Sequence, residues 1–92
     1  MKTFDDLVFK PHPVGIGTQA YETFDNGYGV SVICGDLFYS NGVDTYELAV
    51  LKDGKICYDT PITDDVIGYL SEDEVTEVMK RVQRLRTTSD IK

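Results

Sequence analysis

The clearest pattern in the chain is helical and lies near its C-terminal end. Val75, Val78, Met79, Val82 and Leu85 recur at spacings of three and four, which lines them up as one apolar stripe. The start of this helix is specified several times over. Ser71 is a good N-cap, Glu74 stands three residues on to complete a capping box, and Leu70 can staple onto Val75. Glu72, Asp73 and Glu74 complement the positive end of the helix dipole, and Lys80, Arg81, Arg84 and Arg86 the negative end. The spacing predicts a helix over residues 72–86. An isolated helix of about fifteen residues is marginal in water, so its stripe must lie on something else.

Upstream the period changes to two. Tyr28, Val30, Val32 and Cys34 point one way with Gly29 and Ser31 opposite, and residues 19–24 form the other arm of a hairpin around Asp25-Asn26-Gly27. In residues 46–52, Tyr46, Leu48 and Val50 share one face and Glu47, Ala49 and Leu51 the other. Asp53-Gly54 then turns the chain into residues 55–59, where Ile56 and Tyr58 share a face. These connections are too short for parallel crossovers, so the strands form an antiparallel meander.

The remaining segments are less regular. Thr3 can cap a short turn over residues 4–7, and Leu7, Val8 and Phe9 read as a short edge strand. Pro11-His12-Pro13 and Gly15-Ile16-Gly17 interrupt regular structure. Residues 37–39 either continue the second hairpin arm past a bulge at Gly35 or form an exposed loop before Asn41-Gly42. Pro61 ends the sheet, and Thr63, Asp64 and Asp65 open a helical turn reaching Gly68.

The fold class expected is therefore α+β: an antiparallel four-stranded β-meander with a C-terminal amphipathic helix packed on one face. One domain spans residues 1–92, with a lead-in segment over 1–17, the meander over 18–60, helical structure over 63–86 and a tail over 87–92. Ninety-two residues leave no room for a second core.

Charge narrows the functional classes. A formal net charge of −7 opposes generic attraction to nucleic acid or to anionic membrane. No Lys or Arg falls between Lys10 and Lys52, while Glu22, Asp25, Asp36, Asp44 and Glu47 do. The N-terminus lacks the apolar run of a signal peptide, and no stretch approaches the roughly 18 apolar residues of a membrane span. Cys34 and Cys57, without a Cys-x-x-Cys pattern, fit free thiols in a reducing cytoplasm.

Candidate chemistry is sparse. His12, the single histidine, sits between prolines, and both cysteines lie in strand patterns where a small core residue is the simpler reading. One histidine and two scattered cysteines do not make a zinc site. Asp64-Asp65 and Glu72-Asp73-Glu74 lack the alternating ligands of a calcium loop, and capping already accounts for them. Gly15-x-Gly17 and Gly27-x-Gly29 are too short for phosphate loops. No catalytic residue, metal or cofactor is expected. Two features suit a protein partner: the apolar-aromatic patch Leu37, Phe38 and Tyr39, and the lysine-free acidic surface carrying Glu22, Asp25, Asp36 and Asp44.

Phe24-Asp25-Asn26-Gly27-Tyr28-Gly29-Val30-Ser31-Val32-Ile33, Tyr46-Glu47-Leu48-Ala49-Val50-Leu51 and residues 60–75 resemble stretches of small uncharacterised bacteriophage and prophage proteins. The resemblance carries no catalytic motif and transfers no site. It implies a cytoplasmic accessory protein of a mobile element that acts by binding a host or phage component. The expected function is thus a non-enzymatic protein-binding factor. The alternatives are an acidic, DNA-mimicking inhibitor of a nucleic-acid-binding protein, of the anti-CRISPR kind, and a small enzyme without a recognisable motif. A homodimer through a strand edge or the 37–39 patch is compatible with all three.

Overall fold

The computed structural model describes residues 1–13, 15, 17–35, 40–56 and 66–85. The elements follow the two sequence periods. Among the described residues a short 3₁₀ turn (Phe4–Asp6) and strands β1 (Lys10–Pro11), β2 (Thr18–Thr23), β3 (Tyr28–Cys34), β4 (Tyr46–Lys52), β5 (Lys55–Ile56) and β6 (Ile67–Leu70) precede the α-helix, α1 (Glu72–Gln83). All pairings are antiparallel, in the order β1-β2-β3-β4-β5, with β6 also on β4.

Alternation decides which face is buried. Ala20 of β2 pairs with Val32 of β3, which pairs with Leu48 of β4; Val30 pairs with Val50. All five face α1, whose Val75, Val78, Met79 and Val82 are buried against them. The helix is α+β glue in the expected sense: its stripe and the sheet's inner face form one core. Phe4, Leu7 and Phe9 close the rim of that core. The rings of Phe4, Phe9 and Tyr46 lie 5.0–5.7 Å apart in tilted and edge-on contacts.

Both hairpin turns are specified by local chemistry. At β4–β5 a two-residue turn has Asp53 at φ 53° and Gly54 at φ 82°, the left-handed pair of a type I′ turn. At β2–β3 the loop is one residue longer. The Gly27 N–H donates to the Phe24 carbonyl (3.1 Å) and the Phe24 N–H to the Tyr28 carbonyl (2.8 Å), and of the loop residues Gly27 alone has positive φ. Asn26 is therefore not there for its backbone. Its Nδ2 donates to the Val82 and Leu85 carbonyls at 2.9 Å each, and its Oδ1 accepts the Tyr28 N–H at 3.1 Å. One amide ties the hairpin tip to the end of α1. Gly29 has a packing reason: a Cβ there would sit 2.4 Å from the Glu22 carbonyl oxygen of β2.

Several expectations are corrected. Six strands, not four, appear among the described residues. The first begins at Lys10 rather than at residue 7, because the ladder to β2 pairs only Lys10 with Gln19 and Pro11 with Thr18, while Leu7 and Phe9 pack against the core. Pro11 is tolerated in β1 because the strand lies at the sheet edge, where a missing N–H breaks no ladder. Pro61 does not end the sheet. After it, β6 returns to β4, pairing Leu70 with Tyr46 and Ile67 with Leu48. The helical turn expected to reach Gly68 is thus strand at Ile67 and Gly68, and its residues 63–65 lie outside the described ones. A register shift between Tyr46 and Leu48 accommodates Tyr69, whose φ of 56° is unusual for an aromatic residue. The last helical residue is Gln83, with Arg84 as C-cap; Arg86 lies outside the described residues, as do Cys57 and positions 57–59 of the expected fourth strand.

Candidate functional site: the helix-free face of the sheet

The acidic residues singled out in the sequence do not form one surface. Glu22 is on the helix side of β2, half-buried, and its Oε1 lies 2.6 Å from the Lys2 ammonium. Asp25 is exposed at the β2–β3 tip, at the same end of the sheet. The field of Glu22, Asp25 and Asp6 raises the Lys2 ammonium above its ordinary pKa, the Glu22 hydrogen bond contributing most. Asp44 is at the opposite end, in the turn leading to β4. There it accepts the Asn41 Nδ2–H at 2.7 Å, while Asn41 Oδ1 takes the N–H groups of Val43, Asp44 and Thr45 at 2.9–3.1 Å. Glu22 and Asp44 thus serve local structure. Asp36, Leu37, Phe38 and Tyr39 lie outside the described residues.

His12 and Cys34 are also apart in role. The His12 backbone closes the 12–17 turn, its N–H donating to Gly17 and its carbonyl accepting from Gly15. Cys34 is half-buried at the edge of the core, with the Ser40 hydroxyl 3.9 Å from its sulfur. Among the described residues no three His, Cys, Asp or Glu side chains gather as a metal group, and no helix is long and apolar enough to cross a membrane.

The face that α1 leaves uncovered has a different character. Gln19, Tyr21 and Thr23 of β2, Gly29, Ser31 and Ile33 of β3, and Glu47, Ala49 and Leu51 of β4 point to it. A sheet face turned to water ordinarily carries long polar side chains. Here its middle is small or apolar. Ser31, Ala49 and Leu51 are buried, whereas Tyr21 is 65% and Ile56 48% exposed.

Small residues between larger ones leave hollows. One of about 190 Å³ is bounded by Tyr21, Ser31, Ile33, Ala49, Leu51 and Ile56, with Glu47 and Val66 on its rim. A second of about 440 Å³ lies beside it between Val8, Lys10, Pro11, Pro13, Gln19 and Tyr21. Gln19 and Tyr21 line both. The Gln19 amide is fixed there, its Nε2 donating to the Tyr21 hydroxyl at 2.9 Å and to Ser31 Oγ at 3.0 Å. The result is a broad, mostly apolar depression with Tyr21, held by Gln19, at its centre.

None of the residues lining these hollows was singled out in the sequence as a partner surface. The signal was present in β4: Leu48 through Leu51 is apolar at every position, so that strand offers apolar side chains to both faces. No protein-family model matches the chain, and no curated protein or solved structure does so either.

Proposed function

We propose that the chain is a non-enzymatic protein-binding accessory factor of phage or mobile-element origin, acting in the cytoplasm through the helix-free face of its sheet. The observation that carries this reading is the apolar depression around Tyr21, Ser31 and Ala49 on the face that α1 leaves uncovered. Exposed aromatic and aliphatic side chains around small buried ones are the composition of a binding patch, in which a tyrosine supplies much contact area for few rotatable bonds. The bacteriophage resemblance supplies the setting. The acidic-mimic alternative draws no support from Glu22, Asp25 and Asp44, which are divided between the two ends of the sheet.

The test is affinity capture from bacterial lysate, with and without phage infection, comparing wild type with Tyr21→Glu. Tyr21 is exposed and outside the core, so the variant is expected to fold and to lose the captured protein. Capture of the same protein by both forms would move the binding surface off this face.

A further inference from the structure

We propose that the occupant of the helix-free face is a second copy of this chain, an assignment that rests on reading that face as a binding surface. The register across the sheet carries the argument. Lys10 pairs with Gln19, Gln19 with Ile33, and Ile33 with Glu47, so these four form one straight row on one face. The row has a cation at its β1 end and a carboxylate at its β4 end, about 14 Å apart over three strand spacings. Its middle is uncharged. Lys10 and Glu47 have no ion-pair partner among the described residues, where the salt bridge formed is Lys2–Glu22.

Such a row is complementary to its own reverse. A two-fold axis parallel to the strands, passing between β2 and β3, brings Lys10 of each copy over Glu47 of the other. The same operation sets Tyr21 against Ser31 of the second copy, and Thr23 against Gly29, because these are cross-strand partners within one chain. A large side chain thus meets a small one at Tyr21–Ser31 and Thr23–Gly29, Gln19 meets Ile33, and Lys10 meets Glu47. This self-matching is what an isologous dimer interface requires. It also fits the aligned packing of two twisted sheets, whose strands cross at roughly 30°. Lys10 and Glu47 balance each other among the described strand residues of this face, so two copies of net charge −7 can approach here without like charges meeting.

Light scattering on the purified full chain tests the assignment, with circular dichroism melts confirming that each variant is folded. The wild type is expected at twice 10.3 kDa. Lys10→Glu and Glu47→Lys are each expected to weaken the dimer on the order of tenfold or more, and the two together to restore it to within about threefold of wild type. A wild type that remains at 10.3 kDa up to about 1 mM, a dimer indifferent to either single reversal, or a double reversal that fails to restore it would each overturn the proposal. A monomer that still loses its lysate partner on Tyr21→Glu overturns the second copy while leaving the binding face in place.

Discussion

Asn26 shows how much one side chain holds together here. Its amide donates to the Val82 carbonyl in the last turn of α1, which also accepts the Leu85 N–H at 3.1 Å, and to the Leu85 carbonyl just beyond the helix, while its oxygen closes the hairpin turn. Asn26→Ala should therefore cost about 1–3 kcal/mol, since it removes three hydrogen bonds and takes this donor from the Leu85 carbonyl. Asn26→Asp should cost at least as much, because a carboxylate would face the negative end of the helix dipole. Urea denaturation of both variants measures the difference. A second clasp lies nearby: the Gln83 amide exchanges hydrogen bonds of 2.9 and 2.8 Å with the Lys2 backbone. The turn at Asn26-Gly27 was legible, because the freedom of Gly27 to take positive φ is a local property. The helix contact was not, because it joins residues 56 and 59 positions apart.

At the scale of elements, α1 is the part most fully written in the sequence. Ser71 Oγ accepts the Glu74 N–H at 3.2 Å and Glu74 Oε1 accepts the Ser71 N–H at 3.0 Å, which is the expected capping box. The backbone hydrogen bond from Ser71, followed by its side-chain bond, holds the Glu74 carboxyl below its ordinary pKa. A carboxyl whose pKa is lowered by folding stabilises the fold at pH above its unfolded value, and that contribution is lost as pH falls through the folded one. Thermal melts should therefore show a loss of stability on acidification below the ordinary glutamate range, and Glu74→Gln should make that part of the loss disappear. Ser71→Ala should lower stability by about 1 kcal/mol at neutral pH. Strand β6 is the opposite case. Residues 57–66 intervene between Ile56 and Ile67, yet those two residues pair with Leu51 and Leu48 of the same strand. Pro61 and the acidic pair after it read locally as a stop and a helix start. The pairing of β6 with β4 overrides that reading, and only residues distant in sequence supply it.

For the whole molecule, the proposed binding face lies on the opposite side of the sheet from the core that holds it folded. Val82 is fully buried under the helix among the core side chains. Val82→Asp should cost several kcal/mol, a large part of the roughly 5–15 kcal/mol that holds a small domain folded, and should abolish cooperative melting near the wild-type temperature. Tyr21→Glu, on the other face, should leave the melt within a few degrees of wild type while removing binding. Measuring both by circular dichroism tests the two-faced architecture directly.

The sequence by itself determined the helix and its caps, the antiparallel strands with their two hairpin turns, and the inner face that α1 covers. These follow from periodicity, turn chemistry and capping, all of which act within a few residues. Only the tertiary structure decided the outer strands β1 and β6, the clasps of Lys2 and Asn26 on the end of α1, and which carboxylates share a surface. It also showed the depression around Tyr21, and the row from Lys10 to Glu47 that crosses four strands. Each of these depends on register between segments far apart in the chain. A pattern along one strand reveals which residues share its face, but not what the neighbouring strand sets beside them.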